Sequence, residues 1–328
     1  MTKAKPLLLA ALLGFAVPAD APAQDKRFDG ANGWLNTPSS SAPDLRGKVV
    51  LVDFWTYTCI NWLRTLPYVR AWADKYRDHG LVVVGAHTPE FQFERNVDNV
   101  TRSAREMHVS WPIALDNNYS VWRAFSNNAW PAVYLVDAKG KVRYRHLGEG
   151  EYEATERMIQ QLLAEAGAAV VPRDLVSPDS RGLEVAADWA SLRSPETYLG
   201  NDKAERRVHT AAARLHLNQW TTSGVWTARG DAVVLQRANG RIAYRFHARD
   251  VNLVMGPAKA GSAVRFRVLI DGKPPEAAHG TDTDAQGSGT VSEQRLYQLV
   301  RQPGPIADRQ FEIEFLDPGL DAFAFTFG

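Results

Sequence analysis

Residues 49–67 read VVLVDFWTYTCINWLRTLP, and this stretch decides the fold. Val49 to Trp55 is an apolar run interrupted by Asp53, as expected of a buried strand. A short turn follows, then Cys59, the only cysteine in the chain, then an amphipathic segment with Pro67 inside it. A strand that hands a cysteine to the start of a helix points the sulfur at unpaired backbone N–H groups and at the positive end of the helix dipole. Both favour thiolate over thiol. A carboxylate among Val52, Phe54 and Trp55 is costly to bury without a partner or a task. Asp53, six positions before Cys59, is therefore a candidate acid–base group.

The Asp53–Cys59 separation, the Val52-Asp53-Phe54-Trp55 run and Pro67 eight positions after the cysteine resemble the active-site stretch of thioredoxins. That stretch runs strand, buried aspartate, Cys-x-x-Cys and kinked helix. Here the motif is Cys59-Ile60-Asn61-Trp62, with tryptophan where the second cysteine is expected.

A chain of 328 residues is long enough for two domains with separate cores. With 38 basic and 37 acidic side chains there is no net field to draw the protein to nucleic acid or to an acidic membrane surface. Residues 1–23 carry two lysines, an apolar run from Leu7 to Val17 and a small-residue site at Ala21-Pro22-Ala23. That is a signal-peptide pattern, and it predicts an exported, periplasmic protein. Export permits disulfides, but a single cysteine restricts any disulfide to an intermolecular one.

Taken in order, residues 24–44 read as a polar lead-in that tethers the first domain, with Trp34 packing on its edge. Residues 45–168 alternate strand and helix, which predicts an α/β domain with parallel strands. Within it, His87-Thr88-Pro89-Glu90 reads as the opening of a helix, with Thr88 at the cap and Pro89 at the first helical position. His87 and Glu90 stand at the carboxyl end of a strand, where α/β sheets place ligands. Ala132–Asp137 and Val142–Leu147 flank Lys139-Gly140-Lys141 and predict a hairpin. Residues 169–203 form a proline-punctuated linker that hugs the surface. From 204 to 328 the period becomes two, as in Ile242-Tyr244-Phe246, Val264-Phe266-Val268 and Phe311-Ile313-Phe315, which predicts an all-β, jelly-roll-like sandwich. Trp220 and Trp226 in that half are candidates for a flat sugar platform, although such tryptophans more often fill a sandwich core. Asp282 and Asp284 suggest a calcium site less strongly than a polar turn.

The chain as a whole resembles the exported portion of the DipZ family, a thioredoxin-like domain followed by a β-sandwich resembling a carbohydrate-binding module. The residues that carry this are Val52-Asp53-Phe54-Trp55-Thr56-Tyr57, His87-Thr88-Pro89-Glu90-Phe91, Trp130-Pro131, Glu196-Thr197-Tyr198-Leu199-Gly200 and Phe311–Gly319. The resemblance implies thiol–disulfide exchange on exported thiol or disulfide proteins or small thiols, without a cofactor. It makes Cys59, Asp53 and Pro131 the catalytic set, with Pro131 in the cis form, and Trp55, Trp62 and Trp130 the substrate-binding set. Because Trp62 cannot resolve a mixed disulfide, the implied chemistry is that of a single thiol. Full-length family members begin with a membrane domain that brings reducing equivalents, so the expected electron donor is a separate membrane protein. Two other functions fit the letters. One is a redox-inactive binding module that recognises a protein or glycan through the groove and the sandwich. The other is a peroxidase, suggested by Thr56 three positions before Cys59.

Overall fold

The structure, a computed structural model, describes residues 25–208 and 214–328. The signal-peptide reading of residues 1–23 falls outside the described residues. Among the described residues, no helix is long and apolar enough to cross a membrane.

The first half comprises β1 (Gly33–Leu35), β2 (Val49–Trp55), α1 (Ile60–Tyr76), β3 (Leu81–His87), α2 (Val97–Glu106), β4 (Ile113–Leu115), α3 (Ser120–Ala124), β5 (Ala132–Val136), β6 (Val142–Leu147) and α4 (Tyr152–Glu165). The sheet order is β1-β4-β3-β2-β5-β6. Strands β2, β3 and β4 run parallel, and the hairpin β5–β6 adds antiparallel beside β2. This is a thioredoxin-like α/β sheet. Successive side chains of a strand alternate between faces. Leu51 and Trp55 thus pack with α1, α2 and α4, while Val50, Val52 and Phe54 pack with α3 and the segment around Phe28.

Two local expectations are corrected. The lead-in does more than tether: β1 pairs antiparallel with β4, and Trp34 is buried in the core. The second helix begins at Val97 rather than at Pro89, because the Thr88 hydroxyl, instead of capping, donates to Asp116 Oδ2 at 3.0 Å. Asn96 is the true cap, its Oδ1 accepting from the Asp98 and Asn99 amides. The intervening residues form a loop with a 3-10 turn at Gln92–Arg95.

The second half is all-β: β7 (Thr197–Tyr198), β8 (Trp220–Ser223), β9 (Trp226–Ala228), β10 (Val233–Leu235), β11 (Gly240–Phe246), β12 (Asp250–Pro257), β13 (Val264–Ile270), β14 (Ser288–Val291), β15 (Arg295–Arg301), β16 (Arg309–Phe315) and β17 (Leu320–Phe327). One sheet is ordered β15-β12-β17-β10-β9 with β7 added against β17, and the other β14-β13-β16-β11-β8. The second sheet shows the expected alternation, with Val264, Phe266 and Val268 buried and Arg265 and Arg267 exposed. In the first sheet, by contrast, β12 and β17 are buried along their whole length.

The reason is that the thioredoxin-like domain covers the outer face of this sheet. Val254, Leu296 and Ala324 join its hydrophobic core, and the Phe323 ring lies 4.7 Å from that of Phe93 and 5.3 Å from that of Phe91. The linker is pinned along α1 and α4: Arg70 pairs with Glu184, Lys75 with Asp174, and the Val176 amide donates to Glu156 Oε2.

Candidate active site

Strand β2 ends at Trp55, and a turn in which the Cys59 amide donates to the Thr56 carbonyl at 3.2 Å leads into α1. Cys59 is the residue before the first helical turn. Its backbone is extended, with φ −75° and ψ 110°, and its carbonyl accepts the Leu63 amide at 3.0 Å. The cysteine is free, and as a residue it is half-buried. The amides of Trp62 and Asn61 favour its thiolate as the helix start predicts, but they do not win. Burial, and after it the carboxylates of Glu90 and Glu196, push the Cys59 thiol well above its usual range. Burial first, and these carboxylates second, run against the acidified thiol expected from the helix terminus alone.

Asp53 is fully buried and shares a sheet face with Leu51 and Trp55, beneath α1. The Trp62 indole N–H donates to Asp53 Oδ2 at 2.9 Å. Burial raises the carboxyl to about 7, and the indole bond opposes the rise. Trp62 is also fully buried, stacked on Trp55 with ring centroids 4.4 Å apart. Trp62 therefore points into the core, and neither it nor Trp55 forms the groove wall that the sequence suggested. Thr56 is likewise fully buried and does not line the cleft beside Cys59.

Trp130 does line that cleft. Its indole N–H donates to the Thr88 carbonyl at 3.1 Å, and its ring packs 4.3 Å from that of Trp122. The Trp130–Pro131 bond is cis, and Pro131 is buried at the start of β5. The cleft has a volume of about 370 Å³. One wall is the start of α1 with Cys59. The opposite wall comes from the linker and the sandwich, through Trp189, Pro195, Glu196 and Thr326. The single thiol thus faces a space built by both halves of the chain.

His87 and Glu90, neighbours in sequence, separate in function. His87 is fully buried between Trp55 and Tyr57, and burial lowers it to about 3, so it stays neutral. Glu90 reaches the cleft, where the Tyr198 hydroxyl donates to its Oε1.

Sequence reasoning missed Glu94. It is fully buried, accepts from the Thr58 hydroxyl beside Cys59 and from the Glu90 and Phe91 amides, and is raised by burial to about 7. It ties the turn before the thiol to the loop that carries Glu90. Glu196, Tyr198 and Lys203 were missed as site residues too. The only signal was the Glu196-Thr197-Tyr198-Leu199-Gly200 motif, which covers Glu196 and Tyr198 but not Lys203.

The remaining candidates in the sandwich fall to structural roles. Trp220 is fully buried, with its N–H on the Glu205 carbonyl, so it offers no sugar platform. Trp226 is half-buried against Phe315. Asp282 is held by Arg295 and the Gln298 amide, and Asp284 accepts turn amides from Gln286 and Ser288. Among the described residues no cluster of His, Cys, Asp and Glu side chains is arranged to hold a metal.

Comparison with known proteins agrees with this architecture. The Redoxin family matches residues 18–163, and the family described as Thioredoxin like C-terminal domain matches residues 194–328. Protein DipZ of Mycobacterium bovis and of Mycobacterium tuberculosis is 37% identical over 314 residues, which is 91% of this chain and 42% of each relative. The chain therefore spans about two fifths of the length of those relatives. Thiol-disulfide oxidoreductase YkuV of Bacillus subtilis is 29% identical over 136 residues, 42% of this chain and 91% of that protein. A solution structure of a thioredoxin-like protein in the oxidised form is 29% identical, covers 42% of this chain and 91% of its own, and has a TM-score of 0.38. The chain is a DipZ homologue, a Redoxin domain joined to a thioredoxin-like C-terminal domain, with relatives among the thiol-disulfide oxidoreductases.

Proposed function

We propose that this protein is an exported, periplasmic thiol–disulfide oxidoreductase that works through Cys59 alone. The observation that carries the reading is the position of Cys59: a half-buried residue at the start of α1, on the wall of a cleft beside Trp130. The Cys59 thiolate attacks one sulfur of a partner disulfide, forming the Cys59–partner disulfide and releasing the other partner sulfur as thiolate. An external thiol then attacks the mixed disulfide, leaves bound to the partner sulfur, and returns Cys59 as thiolate. Asp53 serves as the acid–base group behind the site. Pro131 positions the partner chain, and Trp130 supplies apolar contact.

Exported proteins or small thiols are the partners in this reading, with reducing equivalents supplied by a separate membrane protein. Native protein should form a one-to-one adduct at Cys59 with small disulfides, read by intact mass. A thiol that reacts only after denaturation removes the proposal.

A second reading, a recognition module without turnover, is supported by the Trp62–Asp53 bond, which occupies the carboxylate a dithiol enzyme would use. It predicts that Cys59→Ser captures partners as well as the wild type. The first reading predicts that this variant loses covalent capture.

A further inference from the structure

We propose that the interdomain cleft is a recognition pocket for small amine-bearing disulfides and thiols, in which Glu90 and Glu196 take the ligand's cation while Cys59 takes its sulfur. The inference rests on the reading of Cys59 as an active thiol. It assigns that thiol a substrate class.

Size is the first argument. A half-open cleft of about 370 Å³ between two domains matches the size of a small-molecule site.

Charge is the second. The cleft is lined by two acidic side chains, Glu90 and Glu196, and two basic ones, Arg64 and Lys203. The Arg64 guanidinium is already committed: it is buried, with Glu149 Oε1 at 3.1 Å and the Phe327 carbonyl at 3.1 Å. The Lys203 ammonium lies over the Tyr198 ring, 4.2 Å from its centroid. Burial raises both carboxyls, and with Glu90 beside it Glu196 rises to about 7, so the pair is fully charged only above neutral pH. There one lysine is left to balance two carboxylates, and a cation entering the cleft meets net negative charge in a partly desolvated space. The carboxylates also account for part of the raised thiol, and a bound cation beside them would favour the thiolate at the moment of attack.

Thr326 lines the cleft from the sandwich side and is only 4% exposed, yet among the described residues its Oγ1 has no hydrogen-bond partner. Asn252 lies directly opposite it across the β12–β17 pair, fully buried, with both side-chain polar atoms unpartnered. Buried polar groups are nearly always satisfied, so the unpartnered Thr326 hydroxyl on the cleft wall, with Asn252 behind it in the sheet and outside the lining, offers a polar ligand a hydrogen-bond partner. The apolar stem of such a ligand would lie against Trp130 and Trp189, the latter 60% exposed at the rim.

The step is ordinary exchange: Cys59–S⁻ plus R–S–S–R gives Cys59–S–S–R plus R–S⁻, with R bearing an ammonium group. The test is the rate of adduct formation on the full chain with cystamine, 2-hydroxyethyl disulfide and dithiodiglycolate, each divided by the rate of the same disulfide with a model thiol. Cystamine should lead the neutral disulfide by roughly tenfold at low ionic strength, with the anionic one slowest. Glu196→Gln should collapse that ranking towards unity. In case that variant does not fold, 1 M salt on the wild type should compress the ranking as well.

Equal normalised rates, or the anion fastest, would overturn this assignment while leaving the single-thiol reading intact. Failure of all three to react with native protein, with prompt reaction after denaturation, would overturn the single-thiol reading itself.

Discussion

The indole nitrogen of Trp62 donates a 2.9 Å hydrogen bond to Oδ2 of Asp53 inside the core of the thioredoxin-like domain. Trp62 thus does two things: it fills space against Trp55, and it partners the buried carboxylate. A tryptophan at position 62 offers no thiol to resolve a Cys59 adduct, so the proposed turnover requires an external thiol.

That carboxylate makes stability depend on pH. Burial raises Asp53 from 3.8 to about 7, so the proton is held more tightly in the folded chain. Its favourable contribution is complete below pH 3.8 and is lost as pH rises to about 7. Asp53→Asn should therefore match the wild type near pH 3.5 and become more stable above pH 7, by up to about 4 kcal/mol. Urea unfolding across this range measures it. A pH-independent difference would contradict the burial account.

Trp62→Phe keeps an aromatic ring beside Trp55 but removes the N–H. Ionised Asp53 then loses its one side-chain donor, and the loss should cost roughly 1–3 kcal/mol at pH 8. The cost should shrink at acid pH, where the carboxyl is neutral. Trp62→Cys goes further: it should create a dithiol able to reduce insulin, at about 3–5 kcal/mol of lost core packing. Insulin turbidity with dithiothreitol, compared with wild type, reads the gain.

Glu90 and Glu196 both raise the Cys59 thiol through space. Replacing either with Gln should move the midpoint of the iodoacetamide rate-against-pH curve downward. An upward or absent shift in both variants would mean that the carboxylates do not act on the sulfur.

Much of the fold was legible because local pattern and final environment agreed. The run from Val49 to Trp55, the helix after Cys59, the hairpin around Gly140 and the alternating strands β11, β13 and β16 read directly from periodicity. The start of α2 did not, because the Thr88 hydroxyl found a tertiary partner in Asp116 and Asn96 took the cap. Strands β12 and β17 lack alternation because a second domain covers their outer face, which no single-strand pattern records. The site was half legible. Cys59 and Trp130, singled out in the sequence, both line the cleft, but the sequence does not say that Trp62 turns inward or that residues 196–203 and 326 close the cleft from more than a hundred positions beyond Cys59.

The domain interface centres on Phe323, which is 4% exposed and packed on Phe91 and Phe93. Phe323→Ala should cost about 3–5 kcal/mol and weaken docking of the sandwich. Calorimetry should show a single transition in the wild type, and in the variant a lower or split one. The variant should also slow adduct formation with cystamine, since the cleft loses its far wall.

The most direct test of the central claim is a two-step intact-mass experiment on native protein at pH 8. Treatment with 2-hydroxyethyl disulfide should add one mercaptoethanol unit, at Cys59, and excess glutathione should then remove it. A thiol that stays unmodified until urea is added, or an adduct that external thiol cannot release, would contradict a single-thiol exchange enzyme.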